Sequence, residues 1–297
     1  MKNLRFIALF ATLFGCQQDR LPCPYSCDDN GSEPDKRVLI IGLDGCRTDA
    51  FQLAHTPVMD SLAAAGHVYT GVDRGPHTVS APGWAALLTG VWSNKHGVTS
   101  NSYANADFGA YPDLFTRLKQ SFACKRMYYA NSHPIVSEGM LRQADHGVVT
   151  GNDKEATAEA IEQIRMCRPD VMFVHLNDID REGHDTDFEP DNGKYIAEIE
   201  DCDRQIGQIL AAFRATFPDQ EHLVFVTTDH GGEGGGHSNR DDDPNVTHVF
   251  MIGSTNGTFR WKDTVATQVD LYPSVLQFLD VPVSPDWELD GRSLLEP

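Results

Sequence analysis

Four runs of consecutive apolar residues mark the chain, at 37–43 ("RVLIIGL"), 171–176, 223–228 and 248–252. None shows the period-two alternation of a strand with one wet face, so each predicts a strand buried on both sides. Between them the apolar spacing is helical, at 56–65, 82–88, 112–119, 154–166, 194–216 and 270–279. Alternating strands and helices predict an α/β fold with a mostly parallel central sheet and helices on both faces. Ligands of such sheets sit beyond the carboxyl ends of the strands. The residues standing there are Asp44 after the first run, Asn177 to His184 after the second, and Asp229 with His230 after the third.

Those strand ends carry the chemistry. Asp180 and His184 are spaced so that a loop or a first helical turn presents both to one ion. Asp229 and His230 are neighbours at a strand end, and Asp44 adds a carboxylate. His237 lies in the loop "GGEGGGHSNRDDD", whose glycines let the chain fold back toward the sheet. His248 is the reserve for that last position, although it starts the fourth apolar run. Mixed imidazole and carboxylate ligands suit zinc and, less well, manganese. Singly, each residue has an ordinary explanation as a turn, a cap or a bonded core group; together, at three strand ends and one loop, they predict a site for two divalent metal ions. Ser80, two residues before Pro82 in "SAPGWAALLTG", stands at or just before a helix N-cap. It reads either as a cap or as a nucleophile at the helix mouth.

The chain ends and the composition narrow the setting. Lys2 and Arg5, then the short apolar stretch 6–14 and Gly15-Cys16, read as a lipoprotein signal peptide over 1–15, with Cys16 the lipidated first residue of the mature chain, a plain cleaved signal peptide being the alternative. Residues 16–36 read as a polar tether, and 37–297 as a single domain. The expected location is therefore that of an exported bacterial lipoprotein, periplasmic or at the cell surface, held to the membrane only through Cys16. The net charge of -19 argues against a nucleic-acid duplex as partner. It still permits a small phosphate or sulfate ester, because bound cations reverse the sign locally. Beyond Cys16, six cysteines in an oxidising compartment permit disulfides, with Cys124–Cys167 and Cys23–Cys27 the expected pairs.

The ordered segments "VLIIGLDG", "SAPGWAALLTGVWSNKHGV", "DREGH", "TTDHGG" and "VDLYPSVLQFLDVPVSPDWELDGRSL" resemble the alkaline phosphatase superfamily over residues 37–295, nearest to type I phosphodiesterase/nucleotide pyrophosphatases and to sulfatase-like hydrolases. The resemblance implies an alkaline-phosphatase-like fold. It also implies Asp44, Ser80, Asp229 and His230 around one metal, and Asp180, His184 and His237 around the other. Ser80 is then the nucleophile that forms a covalent ester, with Asn101 and Lys95 available as donors to the equatorial oxygens. The sulfatase signature has Arg where this chain has Trp84, so Ser80 is read as unmodified serine rather than formylglycine. The phosphodiesterases carry Asn three residues beyond the nucleophile, where Gly83 stands here. Trp84 is either a core residue or a rim for an aromatic leaving group. The function expected is metal-dependent hydrolysis of phosphoric esters of the phosphodiester or nucleotide pyrophosphate type. The alternatives are a sulfatase-like or phosphomonoester hydrolase, and a surface lipoprotein that binds metal without turnover.

Overall fold

The computed structural model describes Cys23, residues 35–122 and residues 124–296; Cys16, the signal peptide and nearly all of the tether lie outside the described residues. Seven strands form one sheet: β1 (Lys36–Leu43), β2 (His67–Asp73), β3 (Met127–Asn131), β4 (His146–Val149), β5 (Val171–Leu176), β6 (Glu221–Thr228) and β7 (His248–Thr255), in the order β2-β7-β6-β1-β5-β3-β4. β1 pairs in parallel with β5 and β6, and β3 with β4 and β5; β7 runs antiparallel to both of its neighbours. The sheet is thus mostly parallel, with β1 at its centre. Strands β2, β3 and β4 lack the long apolar runs of the others. They lie toward the sheet margins, where β2 and β4 are partly exposed.

Side chains of β1 divide between two cores. Val38 and Ile40 face one layer, with the helices Ser80–Thr89, Leu114–Ser121 and Leu271–Phe278. Leu39, Ile41 and Leu43 face the other, with Pro57–Ala65, Asp153–Cys167 and Gly193–Thr216. Both faces are covered, which is why these strands carry no polar alternation. The exception is Gly42. A Cβ there would stand 2.4 Å from the indole of Trp84, so the missing side chain makes room for that ring against the sheet. Among the described residues no helix is long and apolar enough to cross a membrane.

The cysteine pairing departs from expectation. Cys23 is bonded to Cys167, which excludes both Cys23–Cys27 and Cys124–Cys167; Cys124 is disulfide-bonded, but not to Cys167. The physical reason is topological. Cys167 ends the helix that returns to the starting edge of the sheet, just before β5, and Asp35, which leads into β1, bonds Glu221 at that same edge. Cys46 and Cys202 are free thiols, both buried.

Candidate metal centre and nucleophile

Register brings the site together. Leu43 is aligned with Leu176 on one side and Thr228 on the other, so the chain leaves three adjacent strands at one level. Asp44 and Asp229 follow at once, and the helix Asp178–Asp185 begins two residues beyond β5. On that helix Asp180 and His184 are one turn apart and share a face. Two clusters result, Asp44–Asp229–His230 and Asp180–His184–His237; within each, one ligand atom per residue lies within 4.8 Å of the others.

The three imidazoles are oriented alike. Nδ1 of His230 is 2.8 Å from the Gly231 carbonyl, Nδ1 of His237 is 2.7 Å from that of Thr78, and Nδ1 of His184 is 3.2 Å from that of Gly235. Donating Nδ1–H to a carbonyl leaves the Nε2 lone pair facing the cluster, as a metal ligand requires. The Nε2 atoms of His184 and His237 lie 3.0 Å apart, two acceptors facing each other. Nearby, Asp180 Oδ1 and Asp229 Oδ2 are buried without a hydrogen-bond partner. Buried carboxylate oxygens and facing lone pairs are costly unless a cation lies between them. The donor set therefore fits divalent metal. His230 and His237 also stack, with centroids 3.8 Å apart, joining the clusters into one surface.

Titration reflects the crowding. Burial, and then the charge of Asp44, push the Asp180 and Asp229 carboxyls well above the usual range. Burial pushes the Asp44 carboxyl up too, but hydrogen bonding from His175 and from Trp84 outweighs it and holds this group below its ordinary value. Burial holds His230 and His237 below the ordinary imidazole value, so both are neutral at physiological pH.

Ser80 is the first residue of the helix Ser80–Thr89, whose N-cap is Val79. It is therefore not the cap, and its Oγ lies 3.3 Å from both Asp44 Oδ1 and His230 Nε2. The Ala81 N–H is satisfied instead by Asn101 Oδ1 at 2.9 Å, which leaves the Asn101 amide N–H groups for another acceptor. Lys95 is not a donor here; its Nζ bonds the Glu288 carbonyl and Asp290, each at 2.6 Å. His248 stays out as well, exposed at the start of β7 with Nδ1 on Thr247 Oγ1; His237 takes the inward position.

Trp84 is core, with no exposed surface, and it has a polar task. Its Nε1 donates to Asp44 Oδ2 at 3.0 Å. Two further residues escaped the sequence reading. His175, the next-to-last residue of strand β5, places Nε2 2.9 Å from the same Asp44 oxygen; its signal is an imidazole inside an otherwise apolar run. Arg74 is almost fully buried, and its guanidinium donates to the carbonyls of Asp229 at 2.8 Å and Val79 at 3.0 Å, tying a cluster residue to the backbone before Ser80. A Cβ on Gly83 would lie 2.7 Å from that guanidinium. Arg74 thus fills the space beside Gly83.

A family model of type I phosphodiesterase / nucleotide pyrophosphatase matches residues 38–240. The chain belongs to that family. Among curated relatives, ectonucleotide pyrophosphatase/phosphodiesterase family member 7 of Rattus norvegicus is 22% identical over 219 residues, covering 66% of this chain and 49% of that protein. A 2,3-bisphosphoglycerate-independent phosphoglycerate mutase of Natronomonas pharaonis is 32% identical over 155 residues, 48% of this chain and 27% of the mutase. The chain spans about half the length, or less, of the curated relatives it matches. Among solved structures, murine ectonucleotide pyrophosphatase/phosphodiesterase 5 superposes with a TM-score of 0.68 at 15% identity, covering 88% of this chain and 100% of that one. A 2-O GAG sulfatase superposes at 0.66 and 15% identity, over 88% and 73% of the two chains. These neighbours place the fold among alkaline-phosphatase-like phosphodiesterases and sulfatases.

Proposed function

We propose that this chain is a metal-dependent phosphodiester hydrolase working through a covalent Ser80 intermediate, with Asp44, Ser80, Asp229 and His230 around one divalent cation and Asp180, His184 and His237 around a second. The observation that carries the reading is the position of Ser80 Oγ, 3.3 Å from groups of the first cluster at the mouth of a helix. Zinc suits the donor set, and manganese is the second choice. When bound, two such cations supply the positive charge that favours the serine alkoxide and offsets the charge developing on the leaving oxygen.

The protein's own groups do the rest. Asp44 and His230 hold Ser80 Oγ in place for in-line attack on phosphorus. Ser80 gives up its hydroxyl proton to water, the P–Oγ bond forms, the bond to one ester alcohol breaks, and that alcohol takes a proton back from water, so this half consumes none. A second water then cleaves the phosphoserine, so one water is added overall and Ser80 is restored. The Asn101 amide, oriented by its bond from Ala81, is placed to donate to an equatorial oxygen. Membership of the family supports a phosphodiester or nucleotide pyrophosphate substrate, and a murine relative of the same fold has been crystallised with AMP in an inactive form. Export as a lipoprotein anchored at Cys16 is part of the same proposal; the Cys23–Cys167 disulfide supports an oxidising compartment.

Hydrolysis of bis(p-nitrophenyl) phosphate, with added Zn²⁺ or Mn²⁺ and with chelator, tests the reading. Turnover is expected only with metal, and Ser80→Ala is expected to lose it at least about 1,000-fold. Full activity in that variant, or turnover of the nitrophenyl sulfate alone, overturns it.

A further inference from the structure

Against the segment that leads into Ser80 opens a pocket of about 290 Å³, near the lower end of the sizes usual for small-molecule sites. Its walls come from the segments flanking the nucleophile and the last histidine. Val79 precedes Ser80, Ser238 follows His237, and Asn101 is the residue that bonds the Ala81 N–H. Two loops are laced together here. Asp241 Oδ1 accepts the backbone N–H groups of His77 at 3.0 Å and Thr78 at 3.2 Å, while the Arg240 N–H donates to Thr78 Oγ1 at 3.0 Å. His77 and Asn239 both hold left-handed backbone, with φ of 67° and 56°. For His77 that conformation is costly and persists only where surrounding contacts impose it.

The chemistry of this wall is narrow. Among its lining residues none is Lys or Arg, and His77 is the only ring. A nucleobase would find no Phe, Tyr or Trp face to stack on, only the small His77 imidazole. A second phosphate would find no cation, and would meet the Asp241 carboxylate instead. What the wall offers is donors and acceptors together: the Asn101 and Asn239 amides, the Ser100 and Ser238 hydroxyls, and the second oxygen of Asp241. Such a set matches groups that donate and accept at once, namely alcohols.

We propose that the pocket holds one ester alcohol of the substrate, and that this alcohol is a neutral polyol or a single sugar ring rather than a nucleoside or a nucleoside diphosphate. The proposal rests on the hydrolase reading for an ester at Ser80, and it deepens that reading by naming the substrate class. Calorimetric titration of the Zn²⁺-loaded protein with the product monoesters tests it without turnover. Glucose 6-phosphate or glycerol 3-phosphate is expected to bind at least about 10-fold tighter than both inorganic phosphate and AMP. In Asp241→Ala and in Asn239→Ala, the ratio of sugar-phosphate to inorganic-phosphate affinity is expected to fall about 10-fold, the scale of one or two lost hydrogen bonds. AMP binding as tightly as the sugar phosphate overturns the proposal. So does a sugar phosphate that binds no better than inorganic phosphate, or no binding of any monoester. Absence of bis(p-nitrophenyl) phosphate turnover defeats the hydrolase reading separately, since the binding order is measured whether or not that ester is cleaved.

Discussion

Trp84 and Asp44 are joined by a hydrogen bond of 3.0 Å from indole Nε1 to carboxylate Oδ2, made inside the core with neither residue exposed. The second bond to that oxygen comes from His175, so Oδ2 is fully occupied and Oδ1 is turned toward Ser80 and His230. Orientation of a ligating carboxylate by outer groups is worth about 10–100-fold in metal affinity or activity. Trp84→Phe keeps an aromatic ring in the core and removes only the donor. The expected result is a 10–100-fold weaker apparent affinity for Zn²⁺ in calorimetric titration, with the fold retained by circular dichroism. Unchanged metal affinity in that variant would show that the bond does not orient Asp44.

Metal binding should strengthen with pH, and the sign follows from the carboxyls. Asp180 and Asp229 have folded-state pKa values raised above the unfolded range, by burial first and by Asp44 second. Between the ordinary value near 3.9 and the raised one, the metal-free fold holds more protons than the unfolded chain. Its stability therefore falls as pH rises through that window. A cation needs both groups ionised, so its binding releases their protons. His230 and His237 are already neutral and release none near pH 7. Each proton released raises apparent affinity about 10-fold per pH unit, or about 1.4 kcal/mol. The thermal shift produced by saturating Zn²⁺ should be larger at pH 7.5 than at pH 5.5; equal shifts would mean that the carboxyls are ionised before metal arrives.

The apolar runs made four strands of the sheet legible because β1, β5 and β6 are buried on both faces and β7 nearly so. β2 and β4 carry no such signal, since partly exposed strands at the margins need no continuous apolar run. At the site, residues beyond strand ends could be read from the chain, because register alone carries Asp44, Asp180 and Asp229 to one edge. Their supporting shell could not. His175 depends on the pairing of β1 with β5 to meet Asp44, and Arg74 meets Asp229 only after β2 joins the sheet through β7. The Ser80 cap reading failed for a local reason: a helix can begin one residue earlier when a distant side chain, here Asn101, takes up its N–H.

The Cys23–Cys167 bond closes a loop of 144 residues between the segment ahead of β1 and the end of the helix Asp153–Cys167. Cross-links over long loops stabilise mainly by restricting the unfolded chain, typically by about 2–5 kcal/mol. Cys167→Ser should lower the free energy of unfolding in guanidinium by that amount. Reduction of the wild type should move it the same way. A variant as stable as the oxidised wild type would mean that this bond contributes no net stability.

His96 gives the fold an acid limit that does not depend on metal. It lies in the short helix Ser93–His96, fully buried, with Nδ1 accepting the Val98 N–H at 3.0 Å. Burial holds its pKa down at about 4, whereas the unfolded chain titrates near 6.5. Between those values the unfolded state binds the proton and the folded state does not. Stability is thus intact above pH 6.5 and is lost as pH falls toward about 4, where the slope levels off. The full span corresponds to about 3 kcal/mol. His96→Asn preserves an acceptor for Val98 and removes the titration. In urea unfolding with chelator present, the variant should lose about 3 kcal/mol less than wild type between pH 7 and pH 4. Parallel pH profiles for the two proteins would show that His96 is protonated in the fold.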